Sequence, residues 1–251
     1  MSRLIALLVL LMSGLTLCAQ ELPTQPGMVF LVGGAGGIEN LHTFTRWAMK
    51  QAKLPHEIKH FDWTHGKGRF VKDIQDTRHL LLKAEELRQQ ILKYHADYPD
   101  RPIYLIGKST GCFIVLWAAE KLPIASLEKV ILLSPAVSPG YDLAPALSSV
   151  RTTMVNFRSK YDVFILDWAT SIVGTADRQY SSSAGKKGFT KPVPPLPEHD
   201  VYSRLIQIDW SLDKVWYGHL GGHLGNGMPL FLFFEVMPLL KVERQLAQRN
   251  P

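Results

Sequence analysis

The chain has 251 residues, 46% of them hydrophobic and 20% charged, which suffices for one large domain with a full core but not for two of ordinary size. Its formal charge of +6 is scattered, with no Lys/Arg block and no basic stripe interleaved with aromatics, so the footprint of a nucleic-acid binder is missing. The composition also argues against disorder and collagen-like sequence, and no internal repeat is present.

The chain starts with cationic Met1-Ser2-Arg3, and Leu4 to Leu17 is apolar apart from Ser13, Gly14 and Thr16. Small and polar residues return at Cys18-Ala19-Gln20-Glu21. This resembles a secretory signal peptide over residues 1–19, cleaved after Ala19, with export to the periplasm or the extracellular space. A membrane anchor is the rival reading, but the apolar stretch falls short of the ~20 residues that span a bilayer. A lipid anchor on Cys18 is opposed by Leu17, too large for the small residue that normally precedes such a cysteine. Residues 20–251 are expected to form a single domain. Of the two cysteines, Cys112 alone would remain after cleavage, and its expected role is that of a small buried apolar residue.

In the mature part, Met28 to Val32 is a continuous apolar run, as a strand buried on both faces requires, and it ends in Gly33-Gly34-Ala35-Gly36-Gly37. Asn40 suits an N-cap for a helix with Leu41, Phe44, Trp47 and Ala48 on one face. A more polar strand spans His56 to Phe61, and a helix from about Thr77 to Tyr94 carries the stripe Leu80, Ala84, Leu87, Ile91. Asp100-Arg101-Pro102 turns the chain into the strand Ile103 to Ile106, and a buried helix follows over Cys112 to Ala119, ended by Leu122-Pro123. Strands are expected at Lys129–Leu133, Thr152–Phe157 and Arg204–Ile208. A loop or small lid is expected at about 169–200, and a closing helix from Pro229 to about Gln248, kinked or split at Pro238. Strands alternating with helices predict an α/β fold, a mostly parallel, doubly wound sheet whose ligands bind beyond the carboxyl ends of the strands.

Between the third strand and its helix stands Gly107-Lys108-Ser109-Thr110-Gly111. Strand, Gly-x-Ser-x-Gly and buried helix in that order resemble the nucleophile elbow of the α/β-hydrolase family, and the likeness extends over nearly all of the mature chain. What the resemblance implies is a serine hydrolase of esterase or lipase type, acting on an ester or related acyl compound with no cofactor. Ser109 would need a base, and the base an orienting acid. In the family order, Asp162 in the turn after the fifth strand is the acid, with Asp167 its nearest competitor. Of nine histidines only His219 and His223 follow the last strand; His223 has the expected spacing to Pro229 and is preferred as base, with His219 the alternative. Oxyanion donors would be the backbone N–H of Thr110 and, from the glycine-rich loop, that of Ala35, although Gly33-Gly34 replaces the His-Gly that many family members carry there.

Competing chemistries fit less well. His219 and His223 have the i, i+4 spacing of zinc ligands, but Gly221 and Gly222 between them oppose the helix that spacing needs, so no metal is expected. Pro102 stands where a P-loop would need its first glycine, and Glu39 where a dinucleotide fingerprint would need its third. Lys108 is expected to be a charge on the rim. Trp210, Trp216 and Tyr217 either wall an acyl pocket or pack the sheet edge, and the apolar closing segment reads as deeply buried, with membrane contact not indicated. The partner implied is a small acyl or ester substrate, and nothing in the sequence specifies an oligomeric state. The functional alternative is a non-catalytic binding protein on the same fold.

Overall fold

The computed structural model describes residues 26–162, 175–179, 182–192 and 200–241. The expected signal peptide at 1–19, Asp167, and parts of the expected 169–200 lid (169–174, 180–181 and 193–199) lie outside the described residues.

Six strands form one sheet: β1 Met28–Val32, β2 Glu57–His60, β3 Ile103–Lys108, β4 Leu127–Leu133, β5 Val150–Arg158 and β6 Leu205–Asp209. Their order is β2-β1-β3-β4-β5-β6, and all five pairings are parallel. The chain winds outward from β1 to β2, crosses back to β3, then proceeds stepwise to β6. The direction of winding therefore reverses between β1 and β3, and a crevice opens there beyond the strand ends.

Alternation along the strands feeds two cores. Phe30, Val32, Ile103, Leu105, Val130 and Leu132 face one layer of helices: α3 Thr77–Asp97, α4 Gly111–Ala119 and α5 Ala144–Ser148. Val29, Leu31, Tyr104, Ile106, Ile131 and Leu133 face the other, built from α1 Leu41–Gln51 and the carboxy-terminal segment. The α3 stripe is buried as its spacing requires, and the Asp76 side chain caps it by accepting the His79 N–H at 3.0 Å. Asn40 stands at the start of α1 but makes no side-chain cap. Eight of the nine residues of α4 are buried, all but Trp117, so this helix is a core element without a polar face.

The strands found are longer than expected at β4 and β5, and one short helix, α2 Phe70–Gln75, was not expected. Another, α6 Ala184–Lys187, lies within the region expected as lid. The closing segment is not one helix. A single α-turn at Pro229–Phe231 passes into a π-turn at Leu232–Val236 and a 3₁₀ turn at Met237–Leu240. Pro238 has no N–H to give to a preceding carbonyl, so the α-ladder cannot run through it. Its residues beyond Lys241 lie outside the described residues. Phe231, Leu232, Val236, Met237 and Leu240 are buried, while Leu230 and Phe234 stay half-exposed.

Candidate active site

Ser109 sits at the first bend after β3 with φ +52°, a left-handed backbone that costs a non-glycine residue about 1–2 kcal/mol. Two hydrogen bonds impose it: the Ser109 N–H donates to the Leu133 carbonyl at 3.0 Å, and the Cys112 N–H to the Ser109 carbonyl at 3.1 Å. The flanking glycines are explained by close approach. A Cβ on Gly107 would lie 2.9 Å from the Cys112 Cα, and one on Gly111 2.3 Å from the Gly33 carbonyl oxygen. The elbow is thus wedged between the glycine-rich loop and its own helix, with Ser109 half-buried at the crevice.

The other two predicted residues meet at the same sheet edge. Asp162 follows β5 and His223 follows β6, 61 residues apart in the chain. His223 Nδ1 and Asp162 Oδ2 are 2.8 Å apart, with both residues almost wholly buried. With the carboxylate accepting, Nδ1 carries the proton and Nε2 has a free lone pair. In this structure Ser109 Oγ makes no hydrogen bond to the His223 ring among the described residues, as is common before substrate tightens such a site.

His219 is placed quite differently. It is 1% exposed; its Nδ1 accepts the Gly221 N–H at 3.1 Å and its Nε2 donates to Asn226 Oδ1 at 2.8 Å. The Asn226 amide in turn donates to Ser134 Oγ at 2.6 Å. Both ring nitrogens are occupied, and burial pushes the imidazole down to about 4, with the Asn226 bond only partly opposing this. A Cβ on Gly225 would stand 2.0 Å from His219 Nδ1, so that glycine is there because the ring leaves no room. His219 braces the loop that carries His223.

The glycine-rich loop after β1 is tied at nearly every peptide. Trp63 Nε1–H donates to the Gly33 carbonyl at 2.8 Å, the Gly34 N–H reaches Glu39 Oε2 at 3.4 Å, and the Gly36 N–H donates to Asp73 Oδ2 at 2.7 Å. Asp73 is itself held by the His65 backbone and ring. Among the described residues, the N–H groups of Ala35 and Thr110 donate no hydrogen bond. A Cβ on Gly34 would lie 3.3 Å from the Ser109 Cβ, so this loop presses directly on the serine.

Three sequence expectations need correction or completion. Lys108 is not a rim charge: it is 1% exposed, its ammonium 2.5 Å from Glu39 Oε1, because it is the last residue of a strand enclosed by β1 and β4. Trp216 is 85% exposed and packs no sheet edge, whereas Trp210 donates Nε1–H to the His219 carbonyl and Tyr217 stacks on Phe234. Cys112 is fully buried, and burial pushes its thiol far up. Glu39, Asp73, Trp63, Asn226 and Ser134 support the site and were not singled out for it from sequence. Among the described residues, no group of three or more His, Cys, Asp or Glu is arranged to hold a metal.

A parallel sheet reversing beside an elbow serine, with an acid after β5 and a histidine after β6, is the arrangement of the α/β-hydrolase fold. The chain is similar to the monoglyceride lipase of Rattus norvegicus, 25% identical over 139 residues that cover 53% of this chain and 43% of the relative. The match thus takes in less than half of the relative's length. Among solved structures it is similar to a Thermus thermophilus protein (15% identity, 88% of this chain and 91% of that one, TM-score 0.48). It is also similar to a cutinase-like protein from Cryptococcus sp. (12% identity, 90% of this chain and all of that one, TM-score 0.44). No family model matches the chain.

Proposed function

We propose that the protein is an exported serine hydrolase that cleaves carboxylic esters through an acyl-enzyme on Ser109. The observation that carries this reading is the Asp162–His223 hydrogen bond on the sheet edge where Ser109 is held at positive φ. Ser109 Oγ attacks the acyl carbon while His223 Nε2 takes its proton. Asp162 holds the imidazole in the Nδ1–H form and stabilises the cation. The negative oxygen of the tetrahedral intermediate lies between the unspent N–H groups of Thr110 and Ala35, each such donor being worth about 10²–10³ in rate. Collapse breaks the bond to the alcohol oxygen, which takes the proton from His223 as it leaves. Water then repeats the sequence against the acyl-enzyme, with His223 as base, and frees the acid and Ser109.

An ester with an apolar portion suits the surroundings, since Leu220 and Leu224 stand exposed on either side of His223 in sequence. The likeness to a monoglyceride lipase favours the same class. Export rests on the character of residues 1–19, and amino-terminal sequencing of the secreted protein would detect cleavage after Ala19.

The deciding experiment is labelling with a fluorophosphonate probe. Wild type is expected to acquire the label on Ser109, and Ser109→Ala to acquire none. An unlabelled wild type, or equal labelling of the variant, would favour a non-catalytic binding protein. A series of p-nitrophenyl esters of rising chain length then reports the depth of the acyl site.

A further inference from the structure

One buried ion pair in the site is unused by the mechanism above. Lys108 occupies the variable position of the elbow, immediately before Ser109, and its side chain is 2% exposed. Its ammonium meets Glu39 Oε1 while Glu39 Oε2 takes the Gly34 N–H, so the carboxylate bridges the elbow and the glycine-rich loop. The same lysine stem runs under the histidine loop, where a Cβ on Gly227 would lie 3.4 Å from the Lys108 Cε. Gly227 is the fourth residue after His223. One side chain therefore lies beside the segments that carry the proposed nucleophile, oxyanion donor and base.

We propose that Lys108 and Glu39 are positioning residues that fix the Ala35 N–H for the oxyanion. This rests on the reading of Ser109 as nucleophile. In the stretch 34–36, Glu39 consumes the Gly34 N–H and Asp73 the Gly36 N–H, leaving the Ala35 N–H as the only unspent donor among the described residues. Trp63 fixes the Gly33 carbonyl, so the Gly33–Gly34 peptide is held through both its carbonyl and its N–H, and Asp73 holds the Ala35–Gly36 peptide on the other side of the Ala35 N–H. Glu39 is one-fifth exposed and Lys108 is not, so the lysine is the group that demands a partner. A buried ammonium is tolerated only beside an opposite charge, and the demand draws residues 34–39 down onto the elbow. The pair would act through the backbone amide of Ala35 and touch no substrate atom.

The test compares wild type with Lys108→Met, Glu39→Gln and the double variant, which removes both charges. Lys108→Met and Glu39→Gln are expected to lower kcat on a p-nitrophenyl ester about 30-fold with KM within about twofold, a fraction of the loss on deleting an oxyanion donor. Amide hydrogen exchange of residues 33–40 is expected to accelerate at least about tenfold, while that of 127–133 in β4 stays at wild-type protection. Unchanged exchange in 33–40, or kcat within about threefold of wild type in both single variants, overturns the proposal. General destabilisation would speed exchange in both segments and would equally count against it. If Lys108→Met does not fold, Glu39→Gln and the double variant give the same two readings. If wild type itself takes no fluorophosphonate label, the hydrolase reading falls, and loop exchange alone still decides whether the pair anchors the glycine-rich loop.

Discussion

The buried neutral His219 makes stability depend on pH with a predictable sign and size. Burial holds its pKa near about 4, against 6.5 for a free imidazole. As pH falls, the unfolded chain takes up this proton first, so protonation favours unfolding. The contribution is complete above about pH 6.5 and is lost as pH falls through the folded value near 4. Linkage arithmetic gives a loss of about 0.8 kcal/mol at pH 6, about 2 at pH 5 and about 3 at pH 4. His219→Gln removes the titration and keeps a side chain able to bond Asn226. The variant starts lower, because the ring's edge contacts with Phe231 and Trp210 are lost. Its slope carries the information. Urea unfolding followed by tryptophan fluorescence should show the gap between the two proteins shrinking by about 2 kcal/mol between pH 7 and pH 5. His56, also depressed by burial, and the carboxylates titrate in both proteins and cancel in the difference. A gap that stays constant within about 0.5 kcal/mol would refute the buried, neutral imidazole.

Asp162→Asn should cut kcat by about 10³–10⁴ in a p-nitrophenyl ester assay, because an amide facing Nδ1 favours the wrong tautomer; activity within tenfold of wild type would rule the carboxylate out. Gly225→Ala puts a methyl 2.0 Å from the His219 ring and should cost about 3 kcal/mol in urea unfolding, the upper end for overpacking. A cost below about 1 kcal/mol would mean that the ring moves freely. Ser134→Ala leaves the buried Asn226 amide without its acceptor and should cost about 1–3 kcal/mol, while fluorophosphonate labelling of Ser109 continues at a comparable rate. Loss of label in that variant would make Ser134 more than a brace.

The parts of this site that sequence reveals are those written in contiguous residues. Five residues spell the elbow, the apolar runs spell β1, β3 and β4, and the α3 stripe repeats at helical spacing over 21 residues. Short elements carry no such signal. α2, with six residues, completes too few turns to show a period, and the 3₁₀ turns at Leu212–Tyr217 and Gly225–Gly227 are shorter than any pattern that would predict them. The supporting bonds are hidden for another reason: Lys108–Glu39 spans 69 positions, and Asn226–Ser134 spans 92. One clue was available. A lysine closing a strand enclosed on both sides needs a buried partner, and the glycine-rich loop contains a single acid, Glu39.

Backbone strain alone does not distinguish the proposed nucleophile, because the fold builds the same bend twice. Ser134 ends β4 as Ser109 ends β3, with φ +47°, and its N–H donates to the Phe157 carbonyl at 3.0 Å just as Ser109 donates to Leu133. The parallel stagger of adjacent strands thus produces two serines in left-handed geometry on neighbouring strand ends. Their surroundings separate them. Ser134 is fully buried, its Oγ is spent on the Asn226 amide, and Pro135 follows it, removing the backbone N–H that an oxyanion would need from the next residue. Ser109 is half-exposed, is followed by the unspent N–H of Thr110, and has the glycine-rich loop pressed against it. A strained serine acquires chemistry only where solvent access, a free amide behind it and a neighbouring loop of donors coincide, and along this sheet edge Ser109 has all three while Ser134 lacks the first two.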